Sequence, residues 1–145
     1  MATYTKYESW VEYMANAQVD CFGTTDTFKV IIHTDAPVAA TDNELTDFTQ
    51  ISGNNGYTTD GEDIQNDATR SGGTVTFTAV DVVWTASGGN LGSSTTGRYF
   101  TIYDDTPTTP IANPAMCSYD YGSTFTVATG ETMTVDFGTN LFTFA

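Results

Sequence analysis

Period-two alternation cut at short intervals by glycine is the feature that most restricts this chain. Phe28, Val30 and Ile32 alternate with Lys29, Ile31 and His33. Thr74, Thr76 and Thr78 alternate with Val75, Phe77 and Ala79, and Tyr99, Thr101 and Tyr103 with Phe100 and Ile102. Side chains two apart share one face of a pleated strand, whereas a helix repeats every 3.6 residues. Gly88-Gly89, Gly92, Gly122, Gly130 and Gly138 punctuate the runs. Threonine fills 29 of the 145 positions. Its branched Cβ suits a strand and its hydroxyl tolerates water, so it can line an outer face without charge. The expected fold is mainly β: an antiparallel β-sandwich or jelly-roll-like barrel of about 7–9 short strands with one N-terminal helix. The length fits a single domain over 1–145, with the helix at about 4–20 and the β domain at about 26–145.

Strands are expected over 27–33, 74–80, 81–86, 98–104, 115–121, 124–128, 131–137 and 141–144. Residues 74–86 run longer than a usual strand, which places a bend or bulge near Val80 and Asp81. Asp35-Ala36-Pro37 ends the first strand, because proline lacks the ladder donor. A short helical turn is expected near 42–48. Asn54-Asn55-Gly56 reads as a turn, Tyr57 as the start of an extended piece, and 60–73 as an acidic surface loop.

Residues 4–18 carry the helical pattern. Tyr4, Tyr7, Val11 and Met14 follow i, i+3, i+7, i+10, with Trp10 beside Met14. Glu8 three residues after Thr5 fits a capping box, and Gly23 is a plausible stop. This aromatic face can pack on the chain's own sheet or dock on a neighbouring subunit.

Charge excludes several functions. Eighteen acids against four bases give a net charge of −14. Lys6, Lys29, Arg70 and Arg98 are too few and scattered to track phosphates, so no nucleic-acid partner is expected. An anionic membrane surface is disfavoured on the same ground, and no apolar run approaches the ~20 residues of a spanning helix. Glu8 and Glu12 fall where a signal peptide needs an uncharged stretch, so synthesis in the cytoplasm is expected. Aromatic residues at 13% argue against disorder.

Catalytic motifs are missing. His33 is the one histidine, it sits at a strand end, and no GxSxG elbow accompanies it, so a structural role and no enzyme activity are expected. Cys21 and Cys117 lack zinc spacing and are expected as two buried thiols. Asp60, Glu62, Asp63 and Asp67 are the best cation candidates, set against the plainer reading of solvated loop acids. Asp104-Asp105 is a second acidic pair. Tyr99, Tyr103, Tyr119 and Tyr121 alternate on strands and can serve a core, a subunit contact or a stacked sugar. No cofactor is expected.

In order along the chain stand Tyr4-Thr5-Lys6-Tyr7-Glu8-Ser9-Trp10-Val11-Glu12, Asp26-Thr27-Phe28-Lys29-Val30, Asp35-Ala36-Pro37-Val38 and Asn55-Gly56-Tyr57-Thr58. Trp84-Thr85-Ala86-Ser87-Gly88-Gly89, Tyr119-Asp120-Tyr121-Gly122-Ser123 and 130–137 follow. With these segments the chain resembles short β-rich virion proteins of tailed double-stranded DNA bacteriophages. The stretches 60–67 and 107–110 depart from that pattern. The resemblance implies a structural role, with no catalytic residues to carry over. The expectation is a capsid decoration (cement) protein on the outer virion surface, contacting the major capsid protein or other virion proteins as a homo-oligomer, a trimer being favoured. Tyr4, Tyr7, Trp10, Val11 and Met14 are the expected interface. A tail, fibre or neck accessory protein with a host-surface adhesion role is the alternative.

Overall fold

The computed structural model describes residues 3–22, 25–93 and 96–145. Among them the chain is mainly β, with one α-helix. The elements are β1 (Thr3–Lys6), α1 (Ser9–Ala15), β2 (Phe28–His33), β3 (Glu62–Asp63), β4 (Asp67–Ser71) and β5 (Thr74–Thr78). They continue as β6 (Val82–Thr85), β7 (Gly97–Asp104), β8 (Ala115–Phe125), β9 (Thr132–Val135) and β10 (Phe142–Phe144). The strands form a five-stranded sheet β1-β8-β7-β2-β3, a three-stranded sheet β10-β5-β4 and the pair β6-β9, all antiparallel. The edges β1 and β3 do not pair with each other, so the large sheet is not a closed barrel.

β2 organises the packing because both of its faces are buried. Phe28, Val30 and Ile32 join Phe100 and Ile102 of β7 in the larger core. Phe77 of β5 meets Phe28 at 5.1 Å between ring centroids, and Trp84 of β6 stacks on Phe100 at 6.5 Å. Both small sheets therefore add apolar side chains to this one face. Trp10 of α1 reaches Phe28 edge-on at 5.9 Å. Ile31 points the other way, into a second core of Tyr7, Leu45, Phe48, Tyr103 and Ala115. Residues 34–51 supply Leu45 and Phe48 to that core, with a 3-10 turn at Leu45–Asp47 whose N-terminus carries a reciprocal capping box of Glu44 and Asp47. This is the helical turn expected near 42–48.

Several expectations need correction. The helix is not 4–20 but 9–15, because Thr3–Lys6 pairs with β8 in the register Tyr4↔Tyr119 and Lys6↔Cys117. A nearby strand edge offers this segment ladder hydrogen bonds that outweigh a helical period resting on a few aromatic positions. The division into a helix at 4–20 and a β domain from 26 therefore fails: the N-terminal segment is itself part of the large sheet. Thr5 caps nothing, and the residue preceding α1 is Glu8, which makes no side-chain cap. Gly23 lies outside the described residues. Among the described residues there are ten strands, where about seven to nine were expected.

The surface loop at 60–73 instead contains β3 and the hairpin strand β4. Gly61 makes β3 possible: it sits at φ +74, and a Cβ there would fall 2.0 Å from the Val30 carbonyl oxygen. Segments 115–121 and 124–128 merge into the single strand β8 up to Phe125, passing Gly122 at φ +97. Tyr57 is buried but belongs to no strand. The break between β5 and β6 does fall at 79–81, where a bend was expected.

Phe28→Ala is expected to cost about 3–5 kcal/mol, because it leaves a cavity where α1, β5 and β2 meet. The exposed Val83→Thr should stay within about 0.5 kcal/mol. Urea unfolding midpoints check both, and equal effects would contradict this assignment of the core.

Candidate functional site

Registers within the large sheet bring one polar cluster together. His33 lies opposite Tyr99, Ile31 opposite Thr101, and Thr101 opposite Ser118. Thr101 is therefore the diagonal neighbour of His33 on the same face. The His33 Nε2 stands 2.8 Å from the Thr101 hydroxyl, which bonds the Ser118 hydroxyl, which bonds the Tyr7 hydroxyl. His33 Nδ1 faces the Asp35 carboxylate at 3.7 Å, too long for a hydrogen bond, and has no other partner. With the proton on Nδ1, Nε2 accepts from Thr101, Thr101 from Ser118, and Ser118 from Tyr7. Each hydroxyl then donates once.

Acid, imidazole and hydroxyl in this order have the composition of a nucleophilic relay. The surroundings remove that chemistry. Tyr7, His33, Thr101 and Ser118 are all fully buried. The imidazole lies between Phe48 at 4.9 Å and Tyr99 at 5.4 Å. Burial lowers the His33 pKa to about 4, against an opposing pull from Asp35, so the ring is neutral at physiological pH. The cluster satisfies buried polar atoms and fixes sheet register. Single-sequence reading missed it because its four members lie at 7, 33, 101 and 118.

A second buried group lies at the other end of β7. Asp104 was expected in a solvated acidic pair, yet it is fully buried, with Asp26 beside it. Its Oδ1 accepts from the Thr106 backbone N–H at 3.0 Å, while Oδ2 lacks a conventional partner. Burial raises the Asp104 pKa well above the carboxylate range and the Asp26 charge adds to it, opposed by the Thr106 amide. Asp104 therefore holds its proton more tightly than an exposed carboxyl does. Asp105 does reach the surface and pairs with Lys29 at 2.6 Å.

The expected interface residues separate. Tyr7 and Trp10 are buried in the two cores of this chain, so the surface they were expected to present is taken up by its own packing. Met14 is partly buried against the larger core. Tyr4 and Val11 are about half exposed. The cation candidates do not converge. Glu62 and Asp63 are adjacent on β3 and so point to opposite faces. Asp63 and Asp67 each accept a local backbone N–H, and Asp60 accepts from the Gln50 amide. Among the described residues no three His, Cys, Asp or Glu side chains gather as a metal set. Cys21 and Cys117 are separate buried thiols, both pushed up to about 12 by burial. They are protonated and poor nucleophiles at neutral pH. Tyr99 and Tyr103 are core residues, Tyr119 is partly exposed and Tyr121 exposed.

No family model, curated protein or solved structure matches the chain.

Thr101→Val should cost about 1–3 kcal/mol by stranding the His33 and Ser118 partners in the core. The two buried titrating groups give opposite pH slopes. The folded His33 binds protons less readily than the unfolded one, so stability is lost as pH falls from about 6.5 towards about 4. The folded Asp104 binds its proton more tightly than the unfolded one. Its contribution is present in acid and is lost as pH rises from the ordinary carboxylate range through the raised folded pKa. Asp104→Asn should flatten that loss while leaving the acid limb in place. Urea titrations from pH 4 to 9 test this, and an unchanged upper limb in the variant would refute it.

Proposed function

We propose that this chain is a virion structural protein of a tailed double-stranded DNA bacteriophage, acting as a capsid decoration (cement) protein on the outer shell. The observation that carries the reading is the ordered resemblance of segments along nearly the whole chain. The geometry supports a non-catalytic role, because the one acid–imidazole–hydroxyl set is closed to substrates. An antiparallel sandwich is the natural description of the sheets that meet through Phe28–Phe77 and Trp84–Phe100. A net charge of −14 suits a surface turned away from packaged DNA.

With Tyr7 and Trp10 interior, the contact surface moves to Tyr4 and Val11. Tyr4 lies on β1, an edge of the large sheet. A free strand edge can add a partner strand, and an exposed tyrosine beside it supplies apolar area. The partners are the major capsid protein and further copies of this chain, a trimer being favoured.

The test uses particles of the phage whose genome encodes the chain. Copy numbers on the order of hundreds per particle are expected for a symmetric shell. A dozen or fewer would overturn decoration and favour a tail, fibre or neck position. Tyr4→Ala and Val11→Glu should each weaken loading onto empty heads by about tenfold, or ~1.4 kcal/mol. Unchanged loading of both would reject this contact surface.

A further inference from the structure

The β6-β9 pair and residues 136–141 stand off from β7 and β8, leaving a groove of about 240 Å³. Phe100 and Tyr119 line it from the large sheet, and Met133, Val135, Phe137 and Leu141 from the opposite side. Tyr121, 53% exposed, also lines it. Its ring stands edge-on to Phe125 at 5.2 Å, and Phe125 stacks almost parallel on Phe100 at 5.5 Å. Tyr119 is backed by the Tyr4 ring at 5.4 Å. Both tyrosines are thus braced by other rings, which limits the ordering cost of binding.

The polar groups are few and each has spare capacity. Asp136 Oδ1 accepts from the Gly138 N–H at 2.7 Å, leaving Oδ2 free among the described contacts. Asn140 Oδ1 accepts from the Thr139 hydroxyl at 3.0 Å, leaving its NH2 group free among the described contacts. No lysine or arginine lines the groove. Together these features suit one class of ligand. Apolar walls with aromatic rings favour an apolar face, a carboxylate and an amide can hold hydroxyls at its rim, and the uncompensated carboxylate disfavours anions. A pyranose has this form, with C–H bonds on one face and hydroxyls around its edge.

We propose that this groove binds a neutral sugar, with Tyr119 and Tyr121 against the ring and Asp136 and Asn140 holding its hydroxyls. The site does not depend on whether the chain sits on a head or a tail, so its test is separate from the particle experiments.

Methyl glucopyranosides, galactopyranosides and mannopyranosides of both anomers would be titrated by NMR to about 50 mM, some fifty-fold above a millimolar dissociation constant. Sodium glucuronate and cyclohexanol are the charged and purely apolar comparators. At least one glycoside should saturate, with shifts confined to the groove, and glucuronate should bind several-fold more weakly. Tyr121→Ala and Asp136→Asn, both at exposed positions, should each lower affinity about tenfold with unchanged urea midpoints. Three results would each overturn the site: no saturation by any glycoside, binding unaltered in both variants, or cyclohexanol binding as tightly as the sugars.

Discussion

The pairing of β2 with β7 is the interaction on which the rest of the molecule depends. Six consecutive residue pairs join Phe28–His33 to β7, and both strands are buried almost throughout. Backbone groups so placed have no water to turn to, so the ladder is obligatory. A slip of one residue would exchange Phe28, Val30 and Ile32 for Lys29, Ile31 and His33 on the main core face. That would place a lysine among Phe77, Trp10 and Trp84. Register is thus enforced from both sides of the sheet.

Two cores of different character follow from that register. The larger is apolar and aromatic, built where the small sheets and α1 meet the large one. The smaller, under residues 34–51, mixes Ile31, Leu45 and Phe48 with the polar row from Tyr7 to His33. A buried polar row costs free energy unless its members satisfy one another, and here each hydroxyl has a partner. What remains unsatisfied is His33 Nδ1, facing Asp35 just beyond bonding range. A neutral imidazole between two aromatic rings tolerates this position; a charged one would not. The same logic holds at Asp104, where a carboxyl is accommodated by keeping its proton.

The surface is arranged differently. Acids crowd the loops, and Arg98 is spent on Asp120 through two hydrogen bonds of 3.0 Å while its guanidinium lies 5.0 Å from the Tyr99 ring centre. Lys29 is paired with Asp105. Among the described residues only Lys6 and Arg70 stand outside such pairs, while exposed aromatic area persists at Tyr4 and Tyr121. Such a surface favours contacts made by rings and strand edges over contacts made by positive charge.

Period-two alternation and glycine punctuation determined the class of fold, the positions of β2, β5, β6 and β7, and the two-faced character of 98–104. Composition likewise determined the net charge of −14. Tertiary structure alone decided the rest. Whether 3–6 became strand or helix depended on the free edge of β8, far away in sequence. Whether 62–63 became loop or strand depended on how closely Gly61 could approach Val30, whereas Asp67–Ser71 became strand by pairing with β5. The polar cluster had no local signature, since the partners of His33 are selected by register across three strands. Local pattern reports the conformation a segment can adopt. Long-range pairing decides which conformation satisfies its backbone, and therefore which side chains meet.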